Sequence, residues 1–342
     1  MQLSDFNYKL PRERIAQFPP LKRGNTKLLV QNRVDGKIEH RRYPDLINYV
    51  NPGDVVVLNN TKVIKARLVA HNQAGQIREL LLLEYHANSG DDYHHRAIYR
   101  GRLAKSEELQ IQDFKIRIEN IKANGVIELS SKENLLTIAD KVGTVPLPPY
   151  MKRAANYRDI ERYQTEFAEK SGSVAAPTAS LNFTNKLKGQ LESKGVKVVS
   201  LTLHVGLGTF LPIRDDDLTK HKMHSEYFEI PSSTVAAIKQ AKQVGGKVIA
   251  IGTTVTRTLE FAAAKILRSA AQDLVGEADI FIYPGYKFRV VDELLTNFHA
   301  PKSTVLMMAA AFDGWGNLMN AYESALDNGF QFLSYGDSML IL

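Results

Sequence analysis

The sequence contains no cysteine. That excludes a disulfide scaffold, a thiolate zinc site and a cysteine nucleophile. Long apolar runs are missing too. The longest, Val305 to Phe312, is far shorter than the roughly 20 residues that cross a bilayer. Asp5 and Lys9 stand where a signal peptide would carry its apolar core. No dense basic tract, internal repeat or low-complexity segment occurs. At 44% hydrophobic and 24% charged residues, the composition is that of a globular protein rather than a disordered one. A soluble cytoplasmic protein with no membrane association is expected.

The length of 342 residues suggests two domains with cores of their own. Lys and Arg number 44 against 37 Asp and Glu, a net charge of +7. Such an excess suits a polyanion, because phosphate contacts release counterions, but an ordinary basic surface gives the same balance. The positive charges cluster as the pairs Lys22-Arg23, Arg41-Arg42 and Lys152-Arg153.

Three zones differ in texture. Up to about Lys65, short extended runs alternate with turns, and Asp54 to Leu58 reads as a buried strand after the Pro52-Gly53 turn. From about Ala66 to Pro146 the chain reads as almost entirely β. Phe114 to Ile118 alternates apolar and polar, Asn124-Gly125 supplies a hairpin turn, and Val126 to Leu129 resumes the strand. Leu80 to Leu83 and Ala97 to Tyr99 fit the same pattern, which predicts a small closed barrel. The third zone alternates helices with strands. Helices are expected along Phe183, Leu187 and Leu191, from Ser232 (with Ser or Thr as cap) to Gly245-Gly246, over Thr256 to Leu267 and over Thr304 to Phe312. Strands are expected at Val196–Val205, Val248–Ile251 and Ile280–Tyr283. Alternation of this kind implies crossovers and a partly parallel sheet. The fold class read here is an α/β main domain with a mixed sheet, residues 1–65 plus 150–342, carrying an inserted small β-barrel domain, 66–149. Pro146-Leu147-Pro148-Pro149 is a rigid linker candidate.

Several segments combine residues that chemistry could use. His204-Val205-Gly206-Leu207-Gly208-Thr209-Phe210 leaves a strand with two glycines, which let backbone amides approach a ligand; the bland alternative is a tight turn. It lacks the third glycine of a dinucleotide fingerprint. Gly252-Thr253-Thr254, with Arg257 and Glu260 beyond, sits at a strand-to-helix junction where anions are favoured. Arg257 or Glu260 could hold the two ends of an amino-acid moiety, or could simply form a surface pair. His221, His224 and Glu226 form the best metal candidate, since an i, i+3 spacing puts both rings on one helical face. The competing reading makes a histidine a general base, because imidazole titrates near neutrality. Ala175 to Leu181 is small and hydroxylated before a helix, and Thr296 to Thr304 gathers Asn297, His299, Lys302 and hydroxyls. Tyr335-Gly336-Asp337 reads as a turn.

Together the segments closely resemble the S-adenosylmethionine:tRNA ribosyltransferase-isomerase family of queuosine biosynthesis. The matching stretches include Tyr8 to Pro11, Ile15 to Gln17, Val63 to Leu68, Pro146 to Tyr150, Arg162 to Thr165, Ala175 to Ala179, Thr202 to Phe210, His221 to Glu226, Gly252 to Glu260, Thr296 to Thr304 and Ser334 to Leu340. They run in order from one terminus to the other. The resemblance implies transfer and isomerisation of the ribosyl part of S-adenosylmethionine onto 7-aminomethyl-7-deazaguanine at the tRNA wobble position. Epoxyqueuosine-tRNA forms, and adenine and methionine leave. It further implies a tRNA partner, S-adenosylmethionine as cosubstrate and no metal; a monomer is expected. His204, His224 and His299 are the candidate bases. Gly206, Gly208, Thr209, Gly252, Thr253, Thr254 and Arg257 are assigned to the cosubstrate, and Gln164, Thr165, Thr178, Lys152 and Arg153 to the tRNA substrate. This chain departs from the family pattern at Asn60, Lys62, Ser180 and Asn182, the last standing where a histidine is expected. The rival readings are a catalytically silent tRNA-binding module, a metal-dependent hydrolase built on His221, His224 and Glu226, and a methyltransferase, for which the Gly-rich loop is missing.

Overall fold

The computed structural model describes residues 1–85, 91–206, 208 and 216–342. The hairpin β1 (Lys27–Gln31) and β2 (Ile38–Arg42) comes first, followed by β3 (Val55–Asn59) after the Pro52-Gly53 turn. All five β3 residues are buried. Val55 and Val57 enter one core while Val56 and Leu58 enter another, as a strand covered on both faces requires. The short β4 (Thr61–Val63) then leads into the β-rich zone.

Six strands close on themselves there: β5 (Arg67–His71), β6 (Ile77–Leu82), β7 (His94–Arg100), β8 (Glu108–Ile111), β9 (Phe114–Ile121) and β10 (Val126–Ser131), in the order β10-β7-β6-β5-β8-β9. Closure removes the exposed edges that an open antiparallel sheet would carry. Along β9, Ile116 and Ile118 point into the barrel and Lys115 and Arg117 point out. The Asn124-Gly125 turn forms as read: Gly125 has φ +83°, and the Asn124 side chain accepts the Val126 amide at 3.2 Å. Helix α1 (Leu135–Val142) is capped by Asn134 and adds Leu135, Ile138 and Ala139 to the barrel core.

The remaining chain supplies α2 (Tyr157–Arg162), β11 (Lys170–Ser173), α3 (Asn185–Ser193), β12 (Lys197–Leu203), β13 (Glu226–Ile230), α4 (Ser232–Gln243), β14 (Val248–Ile251), α5 (Thr253–Phe261), α6 (Ala263–Arg268), β15 (Leu274–Ala278), β16 (Glu293–Asn297), α7 (Thr304–Asp313), α8 (Trp315–Asp327) and β17 (Ser338–Ile341). Among the described residues, nine strands form one mixed sheet ordered β15-β13-β12-β3-β14-β16-β17-β1-β2. β3 lies between β12 and β14, parallel to both, and β1 runs parallel to β17, so the first zone is woven into the sheet of the third. Helices α4, α5, α7 and α8 pack on one face. Helix α3 and the 3-10 turn Tyr43–Asn48 pack on the other.

Four expectations need correction. Ile280–Tyr283 is not a strand; the strand is β15, and the 280–282 segment lines a cavity instead. The helix expected over Thr256–Leu267 starts at Thr253 and is interrupted at Ala262, giving α5 and α6. The strand expected at Val196–Val205 ends at Leu203. Helix α4 has Pro231 rather than Ser or Thr at its N-cap, and Asp273 accepts the Ser232 amide at 2.6 Å.

Candidate active site

β3, β12, β14 and β16 run in one direction, so their carboxyl ends meet along one side of the sheet. Open α/β sheets bind ligands there. A cavity of about 590 Å³ occupies that side, within the usual range for a small-molecule site. Its wall includes Val205 beyond β12, Gly252 to Thr254 beyond β14, Asn297 to His299 at the end of β16, and the Ala175–Ala179 segment.

Gly252 holds φ +101°, a conformation that excludes most side chains, and links the end of β14 to the start of α5. No side chain caps α5, and Thr253 and Thr254 of its first turn line the cavity, leaving the first-turn amides without a side-chain partner. One turn on, Arg257 is buried, lines the cavity and pairs with the equally buried Glu226 carboxylate. The other Glu226 oxygen accepts the Gly206 amide at 2.8 Å. Burial lowers the Arg257 pKa to about 10, with Asp279 acting in the opposite direction, so the group stays cationic at neutral pH. Its Nε has no hydrogen-bond partner. A Cβ at Gly206 would come within 2.6 Å of the Glu84 carboxylate carbon, so the end of that side chain lies directly against the loop.

The three histidines separate. His224 is exposed and lines the cavity next to Gly208, where an added Cβ would approach its ring to 3.3 Å. His299 also lines it but is buried, with Nε2 3.0 Å from Thr296 Oγ1. Desolvation pushes its pKa down to about 3, leaving a neutral ring and a weak base. His204 is buried outside the cavity wall, with Nδ1 2.8 Å from Thr61 Oγ1 and its ring stacked on Tyr227. Thr209 lies outside the described residues.

Of the residues assigned to tRNA, Thr178 alone lines the cavity, donating to Asn297 Oδ1 at 2.8 Å. Gln164 is occupied by both backbone groups of Val63, at 3.0 and 2.7 Å. Thr165 is buried and accepts the Phe167 amide at 3.3 Å. Lys152 is exposed. Arg153 grips buried Asp159 with two nitrogens, at 2.6 and 2.8 Å, and donates Nε to the Gln17 carbonyl at 2.8 Å. Its charge is therefore committed within the protein.

Glu260 likewise serves the backbone, taking the amides of Arg289, Val290 and Val291 at 2.9 Å, and is not a second pole of a ligand site. The helix that would put both rings of the metal reading on one face does not form. Residues 221–225 are not helical, Glu226 is engaged as described, and among the described residues no group of three or more His, Asp or Glu could hold a metal ion. Asn182 lies away from the cavity wall, accepting the Gly24 amide at 3.3 Å, and Asn60 bonds to Glu169 and Thr202. Lys62 is exposed and Ser180 buried.

Sequence reasoning missed the groups that hold His299 in place. Tyr8 donates to its carbonyl at 2.5 Å, and the Tyr322 hydroxyl accepts its amide at 2.9 Å. Tyr8 lies in a stretch that carried the family resemblance; Tyr322 is an aromatic on an apolar helix face, with no signal beyond that.

Comparison with known proteins bears on this geometry. The family described as "Queuosine biosynthesis protein" matches residues 3–341. The chain is 52% identical to the S-adenosylmethionine:tRNA ribosyltransferase-isomerase of Pelodictyon phaeoclathratiforme, across the full length of both. It is 44% identical to the enzyme of that name from a Sulfurihydrogenibium species, again over both full lengths. The crystal structure of S-adenosylmethionine tRNA ribosyltransferase from Thermotoga maritima superposes with a TM-score of 0.58 at 32% identity, covering 99% of this chain and 100% of that one.

Proposed function

The chain belongs to the queuosine biosynthesis protein family, and from that premise we propose that it transfers and isomerises the ribosyl moiety of S-adenosylmethionine onto 7-aminomethyl-7-deazaguanine at the tRNA wobble position. The products are epoxyqueuosine-tRNA, adenine and methionine. The observation that carries this reading is the cavity at the carboxyl ends of the sheet strands. There the uncapped start of α5 and Arg257, whose Nε has no hydrogen-bond partner, line the wall, with Glu226 paired to Arg257 behind them. Arg257 and the α5 amides suit the methionine carboxylate. Gly206, Gly208, Gly252, Thr253 and Thr254 shape the backbone around the ligand, and Thr209 belongs to the same segment.

The sulfonium acidifies the C5′ hydrogens. His224, exposed at the rim of the cavity, is the histidine best placed to take that proton. The resulting ylide opens the sugar and expels adenine, which leaves with the glycosidic electron pair and is protonated. The wobble-base amine adds to C4′ of the resulting vinyl sulfonium and loses a proton. The ylide regenerated at C5′ attacks the C1′ aldehyde, so that a new C1′–C5′ bond closes the carbocycle and leaves an alkoxide on C1′. That alkoxide then displaces methionine at the carbon bearing sulfur, closing the epoxide as the C–S electrons depart on sulfur. His299, held neutral, acts as a hydrogen-bonding wall rather than as the base. Buried Asn182 lies outside this chemistry, so its departure from the family pattern leaves catalysis intact.

We assign S-adenosylmethionine as the cosubstrate, without a metal, and tRNA as the partner of a cytoplasmic monomer. Residues 66–149 form the barrel unit inserted into the main domain. The test is incubation with S-adenosylmethionine and tRNA bearing 7-aminomethyl-7-deazaguanine. Equimolar adenine and methionine with the epoxyqueuosine mass is expected. Methylated RNA with S-adenosylhomocysteine, or bound tRNA without adenine release, would overturn the reading.

A further inference from the structure

A second cavity, of about 370 Å³, shares the 331–335 segment with the first as part of its wall. Ser334 lines the first and Tyr335 the second. Gln17, in the second wall, donates to the carbonyl of Tyr150, in the first, at 3.3 Å.

Phe18 forms the lip of this second cavity and is 61% exposed. Its exposure is built in. The Arg153 guanidinium covers one ring face at 4.3 Å from the centroid and is itself held by Asp159 and by the Gln17 carbonyl. Pro19 and Pro20 follow, and a residue before proline is confined to extended backbone. A rigid aromatic, backed by a cation and open on its other side, is a platform for a planar π-system. The surrounding charge favours an anionic chain. Arg42 lines the cavity and is exposed, and Lys22 is exposed nearby in sequence. The acidic group in the wall, Asp337, is turned to the Lys27 and Gln331 amides at 2.7 Å each.

We propose that Phe18 stacks the unpaired nucleobase adjoining the wobble base in the tRNA anticodon loop, with Arg42 on its phosphate. This rests on the reading above, in which the wobble base enters the first cavity. Splayed loop bases stacked on aromatic side chains are the usual means of reading single-stranded RNA.

The experiment uses the full chain and an anticodon stem-loop carrying 7-aminomethyl-7-deazaguanine, with 2-aminopurine placed in turn on either side of the wobble base. Wild-type protein quenches the 2-aminopurine fluorescence at one of the two positions. Phe18→Leu, which keeps apolar bulk but removes the ring, abolishes the quench and raises KM for the RNA about 5- to 150-fold. In that variant kcat and KM for S-adenosylmethionine are unchanged, and Phe18→Trp restores both signals. A purely structural role for Phe18 would shift thermal stability without this split. Unaltered quenching and KM in Phe18→Leu, with normal adenine release, would overturn the proposal and leave the activity standing. Absence of adenine release from wild-type protein would overturn both.

Discussion

The Arg257 guanidinium and the Glu226 carboxylate form a buried ion pair in the cavity wall, while the second Glu226 oxygen holds the Gly206 amide at 2.8 Å. A helix from one crossover and a strand from another are thereby joined to the loop after β12. Removing one member leaves a buried charge unpaired, which costs about 3–5 kcal/mol. Glu226→Gln is therefore expected to lower urea stability by that amount. The double variant Glu226→Gln with Arg257→Met should lose less than the two single losses added together. Both proteins, where folded, should show a raised KM for S-adenosylmethionine. A fully additive double variant would contradict the pairing.

The histidine assignment makes a separate claim. His224→Ala should reduce kcat for adenine release about 10²- to 10⁴-fold with little change in thermal midpoint. His204→Ala should do the reverse, because that ring bonds Thr61 and stacks on Tyr227 outside the cavity. Stopped or slow single-turnover assays, paired with melting curves, distinguish the two patterns.

His299 links burial to pH. Desolvation lowers its folded-state pKa to about 3, below the roughly 6.5 of an unfolded chain. Between those values the unfolded state binds more protons, so this group's contribution is complete above pH about 6.5 and falls away as the pH drops toward 3. Replacing it by Gln should flatten the acid side of the stability profile, measured as the urea midpoint from pH 4 to pH 8. An unchanged slope would show that the ring is not held neutral.

Asp313, at the end of α7, has the opposite sign. Both carboxylate oxygens are buried without hydrogen-bond partners, and burial raises its pKa to about 7 despite Arg33. The folded state keeps the proton that the unfolded chain gives up near pH 4, so its contribution is full below that value and is lost as pH rises through 7. Asp313→Asn should therefore stabilise the protein at pH 8 by about 1–3 kcal/mol and change little at pH 4, read from thermal midpoints at the two values.

Much of the architecture was legible because local pattern and burial agree. The Pro52-Gly53 turn followed by a β-branched run marks β3, and the alternation in Phe114–Ile118 with Asn124-Gly125 marks a hairpin of the barrel. The reading failed where one pattern serves two environments. Ile280 to Tyr283 looks like a strand, yet in this fold the apolar segment walls a cavity rather than pairing with a neighbour. The alanine-rich run after Thr256 favours helix throughout, and nothing local marks the interruption at Ala262.

The site divides along the same line. Gly252 with Thr253 and Thr254 is visible in sequence as a strand-to-helix junction, since the residues that end one element and begin the next are neighbours in the chain. The partners of charged side chains are not. Arg153 reads as a free cation beside Lys152, but the fold returns Asp159 to it and lays Phe18 across its face. Glu226 reads as a metal ligand beside two histidines, but the crossover to α5 brings Arg257 against it instead. Sequence by itself determined most of the elements, their turns and the family, because propensity, periodicity and motif order act over a few residues at a time. Only the tertiary structure decided which charges neutralise one another and which face the cavity, because those energies depend on distance and desolvation between segments far apart in the chain.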